Sequence, residues 1–350
     1  MPPASQRRRQ ISRRALLWGL ALAVACLAVL ATGMGYIPIS PSQVLGILGA
    51  KLLGWEDLIK GMEEVLSHVV WEVRLPRILT SAVVGAGLAL AGVVFQGLLL
   101  NPLADPFTLG VSSGAAFGAS LSLFLGLDFL GAYTICLLAF LGAVATLFAV
   151  LWLSSLDGQH SPTSLILSGV IVAAILSAGI SFLKYLAEEQ VSVIVFWLMG
   201  SFVGRSWLDA GFTALLSAGG LAVFIYHARD LNIMCLGDRA AGSLGVDTRR
   251  VRLTLLTAAS LVTAACVSVS GIIGFVGLLV PHLMRFLVGP DHRLLLPASA
   301  LAGAGLLLSA DTITRAALPH EVPIGVLTAL IGGPFFCYVF RRKQLGMRHG

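Results

Sequence analysis

The sequence predicts an all-α membrane protein of about ten spanning helices, and three features carry that reading. Of its 350 residues, 57% are hydrophobic and 11% charged, whereas a soluble domain of this length carries about a quarter charged residues. The apolar residues fall in runs of about twenty, the length a helix needs to cross ~30 Å of hydrocarbon. Lys and Arg are distributed unevenly between the two sides that alternating runs define. The 39 glycines lie mostly within the apolar runs, where small residues let helices approach closely.

Residues 1–14 form a basic N-terminus ending in RRRQISRR, and an apolar run follows from Ala15 to Gly35. That run reads as a retained first helix. A secretory or twin-arginine signal is the rival, but the run is longer than a usual signal core and lacks a clear small-x-small cleavage site. Further spans are expected at about 78–100, 108–126, 130–153, 163–186, 207–227, 252–272, 275–288, 294–312 and 322–340. The span at 275–288 is short and expected to be broken. Residues 191–203 are too short to cross and read as an interfacial or re-entrant helix. Together residues 15–340 form one transmembrane domain, with 341–350 a short tail. Gly92 to Pro102 and Gly271 to Pro281 are equally spaced, a faint hint of two related halves.

With the N-terminus inside, the inner side holds sixteen Lys and Arg residues, in 7–14, 229–252, 285–293 and 341–348. The outer side holds seven: Lys51, Lys60, Arg74, Arg77, Lys184, Arg205 and Arg315. The excess places both termini in the cytoplasm. It also accounts for the net charge of +6 without a nucleic-acid partner.

Catalytic chemistry is hard to find. None of the four lysines follows a glycine, so no Walker-type phosphate loop exists in the chain. His-Glu-x-x-His and Gly-x-Ser-x-Gly are absent, and Glu63-Glu64 and Glu188-Glu189 lie in outer loops. No residue is assigned a catalytic or metal-binding role. The scattered cysteines (Cys26, Cys136, Cys235, Cys266, Cys337) read as small buried hydrophobes, and His282 as a structural hydrogen-bonding residue. An ion-coupled secondary carrier, the competing class, needs ionisable groups deep in its helices. Here Asp105, Arg285 and Asp311 fall near helix ends.

Three stretches carry a resemblance. The first runs from Arg74-Leu75-Pro76-Arg77 through GAGLALAG at 85–92 and Gln96 to Asn101-Pro102 and Asp105-Pro106, then LGVSSGA at 109–115. The second is LGDRAAGSLGV at 236–246. The third comprises GFVGL at 274–278, Pro281-His282, Arg285, Asp291-His292-Arg293, Pro297, Asp311, Arg315 and EVPIGV at 321–326. From about residue 70 to 340 the chain resembles the FecCD/BtuC-like permeases of ABC importers for iron-siderophore complexes, haem and cobalamin. The resemblance implies a type II importer fold in the bacterial cytoplasmic (inner) membrane, built as a homodimer. It implies two cytoplasmic ATPase subunits that bind ATP and Mg, a periplasmic or surface-tethered binding protein, and no cofactor in this chain. Iron-siderophore complexes, the most numerous cargo of this class, are the expected substrate.

The resemblance also assigns residues. Residues 228–252 would hold the ATPase-coupling segment, with Leu236, Gly237, Asp238, Ala241, Leu244, Gly245 and Val246 in contact or at its breaks; an ordinary basic loop is the bland alternative. Arg74, Arg77 and Arg315 would receive carboxylates of the binding protein, against lipid contact or a local Asp311–Arg315 pair. Ser161-Pro162-Thr163 matches the cytoplasmic gate, although its proline departs from the expected polar pattern. The fifth and tenth helices would line the path. Asn101 and Asp105 read as caps for the following helix.

Overall fold

The computed structural model describes residues 4–35, 37–55, 64–156, 161–316 and 321–348; Lys60 and Glu63 lie outside them. Helix α1 (Ala4–Gly33) is followed by α2 (Pro41–Leu53), α3 (Glu64–His68) and a wider π turn over Val69–Arg74 that runs straight into α4 (Leu75–Leu98). Then come α5 (Val111–Phe124), α6 (Tyr133–Ser155), α7 (Pro162–Leu186), α8 (Val191–Leu198) and α9 (Trp207–Tyr226). After the short α10 (Ala228–Met234) and α11 (Asp238–Ser243) follow α12 (Thr248–Ser270), α13 (Val276–Val288), α14 (His292–Ala316) and α15 (Ile324–Arg348).

Among the described residues, seven helices are long and apolar enough to cross a membrane. The apolar segments Val111–Phe124, Val276–Val288 and Ile324–Cys337 are shorter. They coincide with three of the ten expected spans. Helix boundaries follow local chemistry. Ser40 accepts from the Gln43 N–H and receives the Gln43 side chain in return, opening α2 with Pro41 in its first turn. Ser206 and Asp209 make the same reciprocal cap for α9.

Helix α4 is the centre of the bundle, 78% buried over its apolar window, and packs against α9, α12, α13 and α14. Glycine sets the closest approaches. A Cβ on Gly92 would overlap the Gly277 carbonyl of α13, and one on Gly85 would overlap the Gly303 carbonyl of α14. The α5–α6 pair forms a second layer against α7 and α12. Helices α1 and α7 are peripheral, with apolar windows only 11% and 22% buried. Helix α1 nevertheless packs on α14, with Leu16, Leu17 and Leu20 against the main core.

Two expectations are corrected. Gly92 lies inside α4 and Pro102 beyond it, whereas Gly271 ends α12 in the left-handed region and Pro281 sits inside α13. Equal spacing therefore does not mark equivalent structure. Cys26, Cys235 and Cys337 are exposed on the isolated chain, and only Cys266 is fully enclosed among the described residues.

Candidate functional site

The segment between α9 and α12 lies at the end of the bundle richest in Arg. Gly237 at φ 98° and Gly245 at φ 85° take left-handed conformations that a side chain disfavours. They break the chain into α10 and α11 as their sequence positions suggest. The segment is clamped from below. Asp238 pairs with Arg252, itself 3% exposed, and Asp247 caps α12 through the Arg250 N–H at 3.1 Å. Asn232 donates to Asp291 at 2.8 Å and accepts from the His292 backbone at 3.0 Å, tying α10 to the start of α14. Burial pushes the Asp291 carboxyl up, but the Asn232 amide and Arg293 N–H outweigh it and hold the group below its ordinary range. Of the apolar residues assigned to contact, Leu236 and Leu244 are 68% and 62% exposed. Ala241 is fully buried and Val246 packs on the core. Ala241 thus anchors the segment from within, beside half-buried Val246.

At the opposite end the arginines are spent within the chain, which corrects the picture of free guanidinium forks. Arg74 is 7% exposed and donates to the carbonyls of Thr32 at 2.9 Å, Gly33 at 3.2 Å and Ile37 at 2.6 Å. Arg315 donates to the Ala31 carbonyl at 2.7 Å. Through the Ala31 and Thr32 carbonyls both arginines satisfy the last turn, and the negative dipole end, of α1. Arg77 is 9% exposed and grips two carboxylates. Its Nε and Nη2 reach Asp311 at 3.0 and 2.8 Å, and its Nη1 and Nη2 reach Glu321 at 3.1 Å each. Asp311 therefore pairs across helices with Arg77 and not with its neighbour Arg315. Arg205 bonds the Val269 carbonyl at 2.7 Å near the end of α12.

Between these ends lies a break, but it precedes the short 275–288 span expected to contain it, and α13 runs unbroken from Val276 to Val288. After α12 the chain is unwound from Gly271 to Phe275, and Phe275 holds φ 67°, unusual for a bulky residue. The backbone flanking the break is paired across elements. Ser201 N–H donates to Ser270 O at 2.8 Å, Ile324 N–H to Gly200 O at 3.1 Å, and Gly325 N–H to Met199 O at 3.1 Å. Irregular backbone inside an apolar body requires such pairing. The α8 segment is thus a plug holding the start of α15, consistent with its reading as a non-spanning helix. Beside it opens a cavity of about 570 Å³, walled by Met199, Ile272, Phe275, Val326, Leu330 and Pro334.

Ser161 caps α7, accepting from the Ser164 N–H at 3.1 Å, with Pro162 at the first helical position; this explains the proline locally. Asn101 and Asp105 cap turns instead of α5. Asn101 accepts from Leu103 N–H, and Asp105 from Phe107 N–H, Thr108 N–H and the Thr108 hydroxyl. Burial raises the Asp105 carboxyl above its ordinary value against those donors. His282 packs edge-on against Phe286, centroids 5.1 Å apart. Gln96 went unassigned in the sequence, yet its amide reaches the carbonyls of Gly277 at 3.4 Å and Leu278 at 3.3 Å. Pro281 has no N–H for Gly277, so Gln96 replaces the missing donor, and its Oε1 accepts from Arg285 at 2.7 Å. The signal was present: a lone amide in an apolar helix and a proline in another.

The chain is similar to known proteins. A model of the FecCD transport family matches residues 20–342. The cobalamin import system permease BtuC of Halobacterium salinarum is 45% identical over 81% of this chain and 76% of its own. The molybdate import system permease MolB of Haemophilus influenzae is 39% identical over 95% and 97%. A solved structure described as an inward-facing conformation of a metal-chelate type ABC transporter superposes with a TM-score of 0.81. It is 37% identical and covers 94% of this chain and 99% of its own.

Proposed function

The chain belongs to the FecCD transport family, and on that premise we propose that it conducts a metal chelate, an iron-siderophore complex before haem or cobalamin, between two copies of itself. It is a multi-pass permease subunit of an ABC importer and not the catalytic subunit. Such an importer includes an ATPase and a binding protein. In our reading both termini and the α10–α11 segment face the cytoplasm, as the excess of sixteen basic residues over seven favours.

One observation carries the coupling reading: Leu236 and Leu244 are exposed on a segment that Asp238 ties to α12 and Asn232 ties to the start of α14. A partner gripping those leucines moves the two helices with them. ATP-driven closure of the ATPases then shifts α10 and α11 and tilts α12 and α14, exchanging access between the two sides. The Ser161-Pro162-Thr163 cap serves as the inner gate, and α7 and α15 line the path. The binding protein settles on the outer end around Arg74, Arg77 and Arg315, whose internal bonds stiffen that surface.

Relatives differ in cargo, so identity does not select one. The wall of Phe275, Val326 and Leu330 offers no fixed charge to a bare oxyanion and suits a bulky chelate. The test is reconstitution with the cognate ATPase and binding protein, offered labelled ferric siderophore, haem, cobalamin and molybdate in turn. Siderophore uptake and siderophore-stimulated ATP hydrolysis are expected. Uptake of cobalamin or molybdate alone overturns the cargo assignment, and hydrolysis by the permease alone overturns the scheme.

A further inference from the structure

At the Arg-rich end a cleft of about 650 Å³ opens between the last turn of α4, α10 and the turn joining α13 to α14. Arg285, in the last turn of α13, lines it. Its one hydrogen bond among the described residues goes to neutral Gln96, at 2.7 Å, and no carboxylate pairs with it there. Gln96 cannot turn away, since its amide is committed to the α13 carbonyls. Asp291 lies on another wall, but its Oδ1 already accepts from Asn232 and the Arg293 N–H.

A second group points the same way. His292 also lines the cleft and is 3% exposed. Its Nδ1 lies 2.6 Å from Asn232 Oδ1. The Asn232 amide nitrogen donates to Asp291, so that oxygen is the acceptor and Nδ1 carries the proton. Nε2 is left as an acceptor with no hydrogen bond. The cleft therefore offers a guanidinium for an anion and, beside it, a buried acceptor for an N–H. A polypeptide bearing a carboxylate meets both needs; a bare inorganic anion meets only the first. A half-buried arginine that lacks a counter-charge is also costly to leave unpaired.

We propose that this cleft receives an acidic side chain of the partner ATPase, bound by Arg285 in a fork and flanked by an N–H donor to His292. The inference rests on the importer reading above. Its location supports it: Asn232 and Cys235 on the cleft wall belong to the coupling segment, next to exposed Leu236. The cleft extends that surface from an apolar ridge to a charged socket, the pattern of an interface anchored by arginine.

Cys235 provides a native reporter, being exposed and lining the same cleft. Permease in neutral-lipid nanodiscs is treated with a maleimide, alone and with the purified cognate ATPase, and modification at Cys235 is read by peptide mass spectrometry. Affinity for the ATPase is measured on wild type, Arg285→Ala and Arg285→Lys. We expect Cys235 to be modified in the permease alone and protected in the complex. Affinity should fall about tenfold or more in Arg285→Ala, with Arg285→Lys in between. Equal Cys235 reactivity in both states, or wild-type affinity in Arg285→Ala, overturns the proposal and leaves the importer reading standing. Protection of Cys235 by phosphatidylglycerol nanodiscs without ATPase overturns it in favour of a lipid headgroup. An ATPase that fails to bind wild-type permease overturns both.

Discussion

Cutting the Arg77–Asp311 pair tests how the outer end is held. Asp311 is fully enclosed and the Arg77 side chain 11% exposed, with contacts at 2.8, 3.0 and 3.2 Å between them. Removing one member of a buried pair costs about 3–5 kcal/mol, mostly because the other charge is left without compensation. The two deletions are not equivalent here. Arg77→Ala strands a carboxylate with no exposure, so the cost belongs near the top of that range. Asp311→Ala leaves Arg77 its two bonds to Glu321, whose side chain is 44% exposed, so the cost belongs near the bottom. The double variant Arg77→Ala/Asp311→Ala removes both charges and should be more stable than Arg77→Ala alone. Reversible unfolding in mixed micelles with increasing SDS, read by circular dichroism, gives all three values and their coupling energy. Additive single-variant costs, or an Arg77→Ala cost below about 1 kcal/mol, would refute the reasoning, because a pair that does not couple is not holding α4 to α14.

Other consequences are simpler. Gly92→Ala sets a Cβ into the Gly277 carbonyl and should lower stability by about 1–3 kcal/mol or more, whereas Gly219→Ala in α9 meets nothing within 4 Å and should be neutral or slightly stabilising; thermal unfolding in detergent separates them. Gln96→Leu strips a partner from both Arg285 and the Gly277 carbonyl, a loss of about 1–3 kcal/mol. Pro281→Ala in that background returns an N–H to Gly277 and should recover part of the loss in the same assay. Leu236→Asp and Leu244→Asp should leave the fold intact, as both side chains are exposed. They should weaken ATPase assembly, measured by co-purification; unchanged assembly would remove the leucine ridge from the coupling reading.

Some of this protein was written along the chain. Hydropathy and the bias of Lys and Arg are summed over one segment at a time, so each span declares itself without its neighbours. That is why the apolar segments and the shortness of the 275–288 segment could be read directly. Breaks were equally local: Gly237 and Gly245 turn the chain wherever they stand, and Ser161-Pro162 starts a helix by its own geometry. Partner choice was not local. Asp311 has Arg315 one turn away, yet Arg77 takes it from 234 positions off, because α4 and α14 meet at the Gly85–Gly303 contact and turn those faces together. The same holds for the outer arginines that close α1, for Gln96 standing in for the donor Pro281 lacks, and for the α8 plug on α15. A buried charge or an unpaired carbonyl must be satisfied by whatever packing brings near. Only the folded bundle decides which group that is.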